Sequence, residues 1–239
     1  MMDRYNRNKL LEGFGEEGQE KLRRSRVLVI GAGGLGSPVL SYLAAAGVGT
    51  IGIIDSDRIE ASNLQRQILH RTADIGLLKT DSAAAKLKAL NPEIEVITHT
   101  TRFTAANARA LIQPYDFIID CCDNFATKYL INDTCVAMQK PFSHGAVVAL
   151  RGEVMTYTPG NASYRDIFED APEDGTVPTS AQIGILGSIA GIIGSIQATE
   201  AIKYIVGTGD LILNRILIFD GCTMQFFSFS KYSKEKYGD

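Results

Sequence analysis

The stretch Val27–Leu40 constrains the rest of the chain more than any other. Val27–Ile30 is a short aliphatic run that reads as a buried strand. It meets Gly31-Ala-Gly33-Gly34-Leu-Gly36, and Ser37–Gly47 then reads as a helix. Pro38 falls in its first turn, where a missing N–H costs nothing. In this order the first glycine permits a tight turn, the second lets backbone approach phosphate, and the third lets helix pack on strand. The helix N-terminus adds free N–H groups for an anion. Glycine turns also join strands to helices for packing alone, so the next element matters. Thr50–Ile54 reads as a second strand, and Asp55 ends it where an acid can grip a ribose hydroxyl. Strand, turn and acid together predict a nucleotide-binding half. NAD and ATP both carry an adenosine ribose, so Asp55 suits either.

Downstream the rhythm continues. Ser62 or Asn63 can cap a short helix carrying Arg66 and Gln67, and Thr80 can cap the helix Asp81–Leu90, which Asn91-Pro92 ends. Glu95–His99, Ala105–Ile112, Phe117–Asp120 and Phe125–Gln139 read as strand, helix, strand and helix. At Pro141 the alternation stops. Phe142–Val148 and Glu153–Thr158 are two strands in succession, so the later part of the sheet is antiparallel or mixed. The stretch 159–182 carries several breakers and reads as a long mobile crossover loop. Ile183–Val206 reads as one long helix, and its apolar part, Ile183–Ile196, is shorter than the roughly 20 residues of a membrane span. A buried helix is expected, packed within the fold or against a second subunit. Arg215–Phe219 and Met224–Phe229 read as final strands. The sum is an α/β protein with a Rossmann-like nucleotide-binding sheet, parallel in its N-terminal part and continued by mixed or antiparallel strands. A single domain covers residues 27–230, after a charged arm (1–26, with a short helix at Glu16–Leu22) and before a tail (231–239).

The net charge of −3 over 239 residues does not suggest a nucleic-acid surface. Met1–Lys9 lacks the apolar core of a signal peptide. Cys121, Cys122, Cys135 and Cys222 include no CxxC pair, and adjacent Cys121 and Cys122 should face opposite sides of a strand. Reduced thiols in a cytoplasmic protein are expected. His70, His99 and His144 are scattered singly and read as structural rather than as zinc ligands.

In an open parallel sheet, ligands sit beyond the carboxyl ends of the strands. Asp55 and Asp123 can therefore face one crevice with Gly31–Gly36. Arg66 and Lys79 would be ordinary surface charges elsewhere, but beside a phosphate cradle they are counter-charges. Asp123 can serve Mg²⁺ next to a triphosphate, or cap the following helix. There is no P-loop lysine motif, nucleophile elbow or metalloprotease helix.

Arg4-Tyr-Asn-Arg7, Gly13-Phe-Gly15, Gly31–Gly36, Asp55-Ser-Asp57, Ser62-Asn-Leu-Gln-Arg66-Gln, Gly76-x-x-Lys79, Asn91-Pro92, Asp120-x-x-Asp123-Asn124, Gln197-Ala-Thr-Glu200-Ala-Ile-Lys203 and Phe219-Asp-Gly occur in this order. Together they resemble the ThiF/MoeB/HesA family, bacterial relatives of ubiquitin-activating enzymes, over nearly the whole chain. The resemblance implies an adenylyltransferase that uses ATP and Mg²⁺. Its partner would be a small ubiquitin-like sulfur-carrier protein ending in Gly-Gly, serving thiamine or molybdopterin synthesis. It implies that Asp55 holds the ribose, with Asp57 near it. Gly31, Gly33, Gly34 and Gly36 would lie against the nucleotide. Asn63, Arg66 and Lys79 would lie on the phosphate side, Ser62, Leu64, Gln65 and Asn124 would also bind the nucleotide, and Asp123 would meet Mg²⁺. It also implies a homodimer in which Arg7 enters the neighbouring subunit's site, a role the composition of the arm does not suggest. Membrane and nucleic-acid partners are not expected.

Two departures from the family pattern qualify these implications. Many relatives hold zinc with two CxxC pairs. Here Ser163-Tyr-Arg-Asp166 stands at the first place and the tail has no cysteine, so zinc is expected to be absent. Ser180 stands where many relatives carry a crossover-loop cysteine, which leaves adenylation intact but puts sulfur transfer through this position in doubt. The alternatives are a non-catalytic carrier-binding member and an NAD-linked oxidoreductase.

Overall fold

The aliphatic run forms the first strand, β1 (Arg26–Ile30). It is joined by β2 (Thr50–Ile54), β3 (Glu95–His99), β4 (Phe117–Asp120), β5 (Phe142–Val148), β6 (Arg151–Tyr157), β7 (Ile216–Asp220) and β8 (Gln225–Phe229). They make one eight-stranded sheet ordered β3-β2-β1-β4-β5-β6-β7-β8. This computed structural model describes residues 4–172, 176 and 180–230. β1 to β5 pair in parallel; β6, β7 and β8 add antiparallel. The parallel part extends one strand further than Pro141 suggested, because the helix after β4 is a full crossover that returns β5 alongside β4. β1 lies between β2 and β4, so the direction of strand addition reverses there and leaves a crevice beyond the carboxyl ends of β1 and β4.

Helices α2 (Gly15–Arg24), α3 (Gly36–Ala46), α4 (Lys79–Leu90) and α9 (Gly187–Val206) cover one face. The opposite face is covered by α5 (Ala108–Ile112), α6 (Phe125–Ala137) and α7 (Tyr164–Ile167). α1 (Asn6–Lys9) and α8 (Ser180–Ile183) are single turns. Strands covered on both faces need continuous apolar runs rather than alternation. Leu28, Ile51, Ile53 and Phe117 are accordingly inaccessible to solvent, each worth about 1.5–3 kcal/mol of burial.

Several expectations are corrected. From Arg4 onward the charged arm is docked on the domain rather than a solvated extension: Arg4 Nη1 donates to Leu90 O at 2.8 Å, Asn91 Nδ2 donates to Tyr5 OH at 2.8 Å, and Gln19 Nε2 donates to Ala46 O at 2.8 Å. These anchors end α3 and α4 just before β2 and β3, so α1 and Arg7 sit at the amino ends of the strands. The helix expected from Ala105 begins at Ala108, because the Asn107 side chain makes a turn with Thr104 N–H and Arg102 O.

The crossover stretch is not structureless. Ser163 and Asp166 cap α7, and Tyr129 OH donates to the carbonyls of Phe168 and Asp170. Val177-Pro-Thr and the tail from 231 lie outside the described residues. The long helix expected from Ile183 is broken at Gly184–Leu186. Ala149 N–H donates to Gly184 O, and Leu186 N–H donates to Ala149 O, so this segment joins the β5–β6 turn like a short strand. α9 is 20 residues long, and its most apolar 18-residue window has a mean hydropathy of 1.2, which by length and composition alone would suffice to cross a bilayer. In the fold it lies on the sheet. Gln197 Nε2 donates to Asp120 O at 2.8 Å, and Glu200 Oε2 accepts from Thr156 Oγ1 at 2.6 Å.

Candidate functional site

The glycine turn follows β1 into the crevice. Gly31 has φ +104°, and a Cβ there would lie 2.6 Å from Cys121 O; at Gly36 it would lie 2.1 Å from Gly31 O. Both are glycine because the chain's own backbone occupies the space. At Gly33 and Gly34 a Cβ would come no nearer than 3.4 Å, against Gln67, Ala190 and Arg66. Those two glycines are not required by internal packing, and they leave a cradle that side chains would fill.

Asp55 braces this turn. Its Oδ2 accepts Ala32 N–H at 2.8 Å and its Oδ1 accepts Asp57 N–H at 2.8 Å. Each carboxylate oxygen has a second lone pair, so capacity for a ribose hydroxyl remains. Beneath the turn, His70 bridges Ala32 O at 3.0 Å and Ser82 Oγ at 2.9 Å. Burial lowers its pKa, only partly offset by the bond to Ala32.

The charged residues fall at the same end but are not all free. Lys79 opens α4 and is buried, and its Nζ pairs with Asp57 Oδ2 at 2.8 Å. A phosphate would compete with Asp57, which is 63% exposed, for that ammonium. Ala61–Asn63 is a 3₁₀ turn rather than the start of a longer helix, and Asn63 Oδ1 accepts Glu60 N–H at 3.1 Å instead of capping forward. Ser62 Oγ donates to Glu60 Oε2 at 3.3 Å, and Arg66 Nη1 donates to Ser62 O at 3.1 Å. The Arg66 stem lies about the glycine turn at Gly34. Leu64 is half-buried, and Gln65 presents its carbonyl to Gly187. Across the crevice, Asn124 caps α6 by accepting Thr127 N–H at 2.9 Å. The cap is therefore Asn124, and Asp123 is exposed with no hydrogen bond or ion pair among the described residues. Arg7 is the one expected site residue that is not brought here.

An uncommitted carboxylate on the turn after β4, beside the strand that leads into the anion cradle, is a fitting partner for Mg²⁺, which takes one or two protein carboxylates and otherwise phosphate oxygens and water. Gln67 supplies an independent sign of a ligand: it is 4% exposed, sits against Gly33, and its Oε1 has no hydrogen-bond partner among the described residues. An unsatisfied buried amide costs about 1–3 kcal/mol. Such a group at a glycine cradle fits an incoming polar ligand or the water it displaces.

Residues 5–238 match the ThiF family. The chain belongs to the ThiF family. It is 44% identical over 228 residues to the probable adenylyltransferase/sulfurtransferase MoeZ of Mycobacterium tuberculosis, covering 93% of this chain and 58% of that protein. It is 46% identical over 224 residues to the adenylyltransferase and sulfurtransferase MOCS3 of Culex quinquefasciatus, covering 93% and 51%. It is 43% identical over 225 residues to the SAMP-activating enzyme E1 of Haloferax volcanii, covering 94% and 83%. The chain thus spans little more than half the length of the first two. In fold it is similar to MccB of E. coli crystallised with ATP: TM-score 0.84 and 24% identity, over 96% of this chain and 71% of that one.

Sequence reasoning missed part of this ThiF-family site. Gln67 was visible only as one more residue of the Ser62–Gln67 motif. Asp120 entered only as the first residue of the Asp120-x-x-Asp123-Asn124 motif, and Lys128 and His144 carried no local signal, because His144 meets Asp120 only through the pairing of β4 with β5. Cys121 and Cys122 do face opposite sides, one in each core. All four cysteines are free. Burial, with Asp120 beside them, pushes the Cys121 and Cys122 thiols well up, which makes them poor nucleophiles. Among the described residues no three His, Cys, Asp or Glu side chains converge as a metal cluster.

Proposed function

We propose that this chain uses ATP to adenylate the C-terminal glycine of a small ubiquitin-like sulfur-carrier protein, within a cytoplasmic thiamine or molybdopterin pathway. The observation that carries the reading is the juxtaposition of cradle, cations and the uncommitted Asp123 at one switch point, in a chain that matches the ThiF family from end to end.

The enzyme needs no nucleophile of its own. A carboxylate oxygen of the carrier attacks the α-phosphorus. The bond from that phosphorus to the bridging oxygen of the β-phosphate breaks, and pyrophosphate leaves with the electron pair. The product is an acyl-adenylate. Positioning and charge stabilisation carry such a step. Asp55 would orient the ribose, and the Gly33–Gly34 backbone the phosphates. Arg66 and Lys79 would balance the charge building on the leaving group. Mg²⁺, held through Asp123, would neutralise phosphate oxygens.

The reading includes a homodimer. Arg7 stands at the amino ends of the strands and the crevice at their carboxyl ends, so an Arg7 that serves a site serves another copy's. An apolar groove of about 510 Å³ along α9, lined by Pro38, Tyr42, Ile68, Ile192, Ile196 and Phe226, offers a surface for it.

The test is carrier-dependent exchange of labelled pyrophosphate into ATP. Exchange should require an intact Gly-Gly terminus and fall by about a hundredfold or more in Arg66→Ala and Asp123→Ala. Full exchange in both variants would overturn the site. No exchange with any of a panel of such carriers would overturn the substrate.

A further inference from the structure

The turn that carries Asp123 is held by a group of buried charges with no part in the reaction just described. Asp120, the last residue of β4, is 1% exposed. Its Oδ2 accepts from His144 Nδ1 at 2.9 Å and from Lys128 Nζ at 3.2 Å. Its Oδ1 accepts Cys122 N–H at 3.0 Å, the first link of the turn leading to Asp123. Lys128 also donates to Gly145 O at 2.6 Å. His144 reaches Glu153 Oε1 at 3.3 Å with its other nitrogen, and the Tyr164 ring lies 4.2 Å from the imidazole. From the opposite face, Gln197 Nε2 donates to Asp120 O at 2.8 Å and to Ser143 O at 3.3 Å. Burial alone would raise Asp120's carboxyl; the Lys128 charge and the His144 bond hold it below the usual carboxylate range.

Such a cluster is a poor way to stabilise a sheet. Each buried ion costs several kcal/mol in lost hydration, and apolar groups of the same volume often serve as well. What apolar groups would not do is hold the Cys122 N–H. The same turn presses Cys121 O against Gly31, so its placement also fixes the gap between Asp123 and the phosphate cradle.

We infer that Asp120, Lys128 and His144 are positioning residues for Asp123, and that they set the turn Cys121–Asn124 in the arrangement that meets the cation of a bound nucleoside triphosphate. The inference rests on Asp123 meeting that cation, as proposed above. Asp120 and Lys128 supply the fixed charge. His144, braced by Glu153 and covered by Tyr164, fixes the direction of Asp120's second oxygen. None of the three need touch substrate.

The experiment is calorimetric ATP binding to the full chain, with and without Mg²⁺. His144→Leu should lose about tenfold of the affinity that Mg²⁺ adds, as removal of an outer support of a metal ligand typically does. Its Mg²⁺-free affinity should be unchanged. His144→Asn, which can donate to Asp120 from the position of Nδ1, should restore most of the loss. In an Asp123→Ala background His144→Leu should add nothing, because both changes act through one group. Equal losses with and without Mg²⁺, or full additivity with Asp123→Ala, would overturn the inference and leave the cluster a structural one. If Asp123→Ala itself keeps the whole Mg²⁺ effect, the reading of Asp123 has failed instead. Should His144→Leu not fold, Glu153→Gln, at the partly exposed end of the cluster, gives the same comparison with a smaller expected loss.

Discussion

Two turns face each other across the crevice, and they are built on opposite principles. The turn after β1, Gly31–Gly36, is shaped by absence: at its first and last glycines there is no room for a side chain. The turn after β4, Cys121–Asn124, is shaped by charges gathered from β4, β5 and α6, with β6 behind them. The first constraint is steric and local. The second is electrostatic and assembled from distant stretches. They should therefore fail differently.

The largest effect should come from Gly36→Ala, where the intruding methyl meets backbone and nothing flexible can yield. A loss of about 5 kcal/mol or more, at the top of what single substitutions cost, is expected in denaturant titration. Gly34→Ala should stay within about 1 kcal/mol of wild type, since its contacts are ordinary, yet bind ATP more weakly. If the two lose stability equally, the division between glycines the fold needs and glycines the ligand needs is wrong.

Next, Lys128→Met should cost about 3–5 kcal/mol, because it strands Asp120 as an uncompensated buried charge. Adding Asp120→Asn should recover part of that loss, by removing the stranded charge. No second substitution should rescue Gly36→Ala in this way. A double variant weaker than Lys128→Met alone would mean the cluster holds the sheet by something other than charge balance.

The smallest effect separates the turns by pH. His70 beneath the glycine turn has a pKa lowered by burial, so the unfolded chain takes up its proton first. Its contribution is complete above the ordinary value of 6.5 and is lost as pH falls below it. Asp120 is also held below its ordinary value, 3.8, so its contribution is complete above that value and is lost as pH falls through the lower, folded one. Hydrogen exchange should show the turn after β1 loosening first on acidification, and His70→Gln should abolish that step. The opposite order would reverse the assignment.

The same contrast explains what the sequence disclosed. Val27–Gly36 and Asp55 were legible because adjacent residues set their geometry: an aliphatic run, a turn only glycine can make, an acid at a strand end. The strand ends at Ile54, His99 and Asp120 followed from the same local patterns. What stayed hidden was decided across the chain. The Lys79–Asp57 pair depends on how α4 meets the turn after β2, and Asp120–His144 on strand register. The break before α9 arises because Gly184–Leu186 find backbone partners at Ala149, which no periodicity of residues 183–206 can reveal. The family resemblance gave Arg7 a role that its own surroundings in sequence did not, and for Asp123 it chose between the two roles that its position after β4 offered.

The placement of Arg7 has a genetic consequence. On the dimeric reading, a chain bearing Arg7→Ala keeps its own crevice whole and damages its neighbour's. Expressed beside the normal protein, it would silence sites whose own sequence is intact, and so act dominantly. Mixed instead with Asp123→Ala chains, it would form pairs in which one site collects both lesions and the other collects neither. Two inactive alleles would then restore each other's activity.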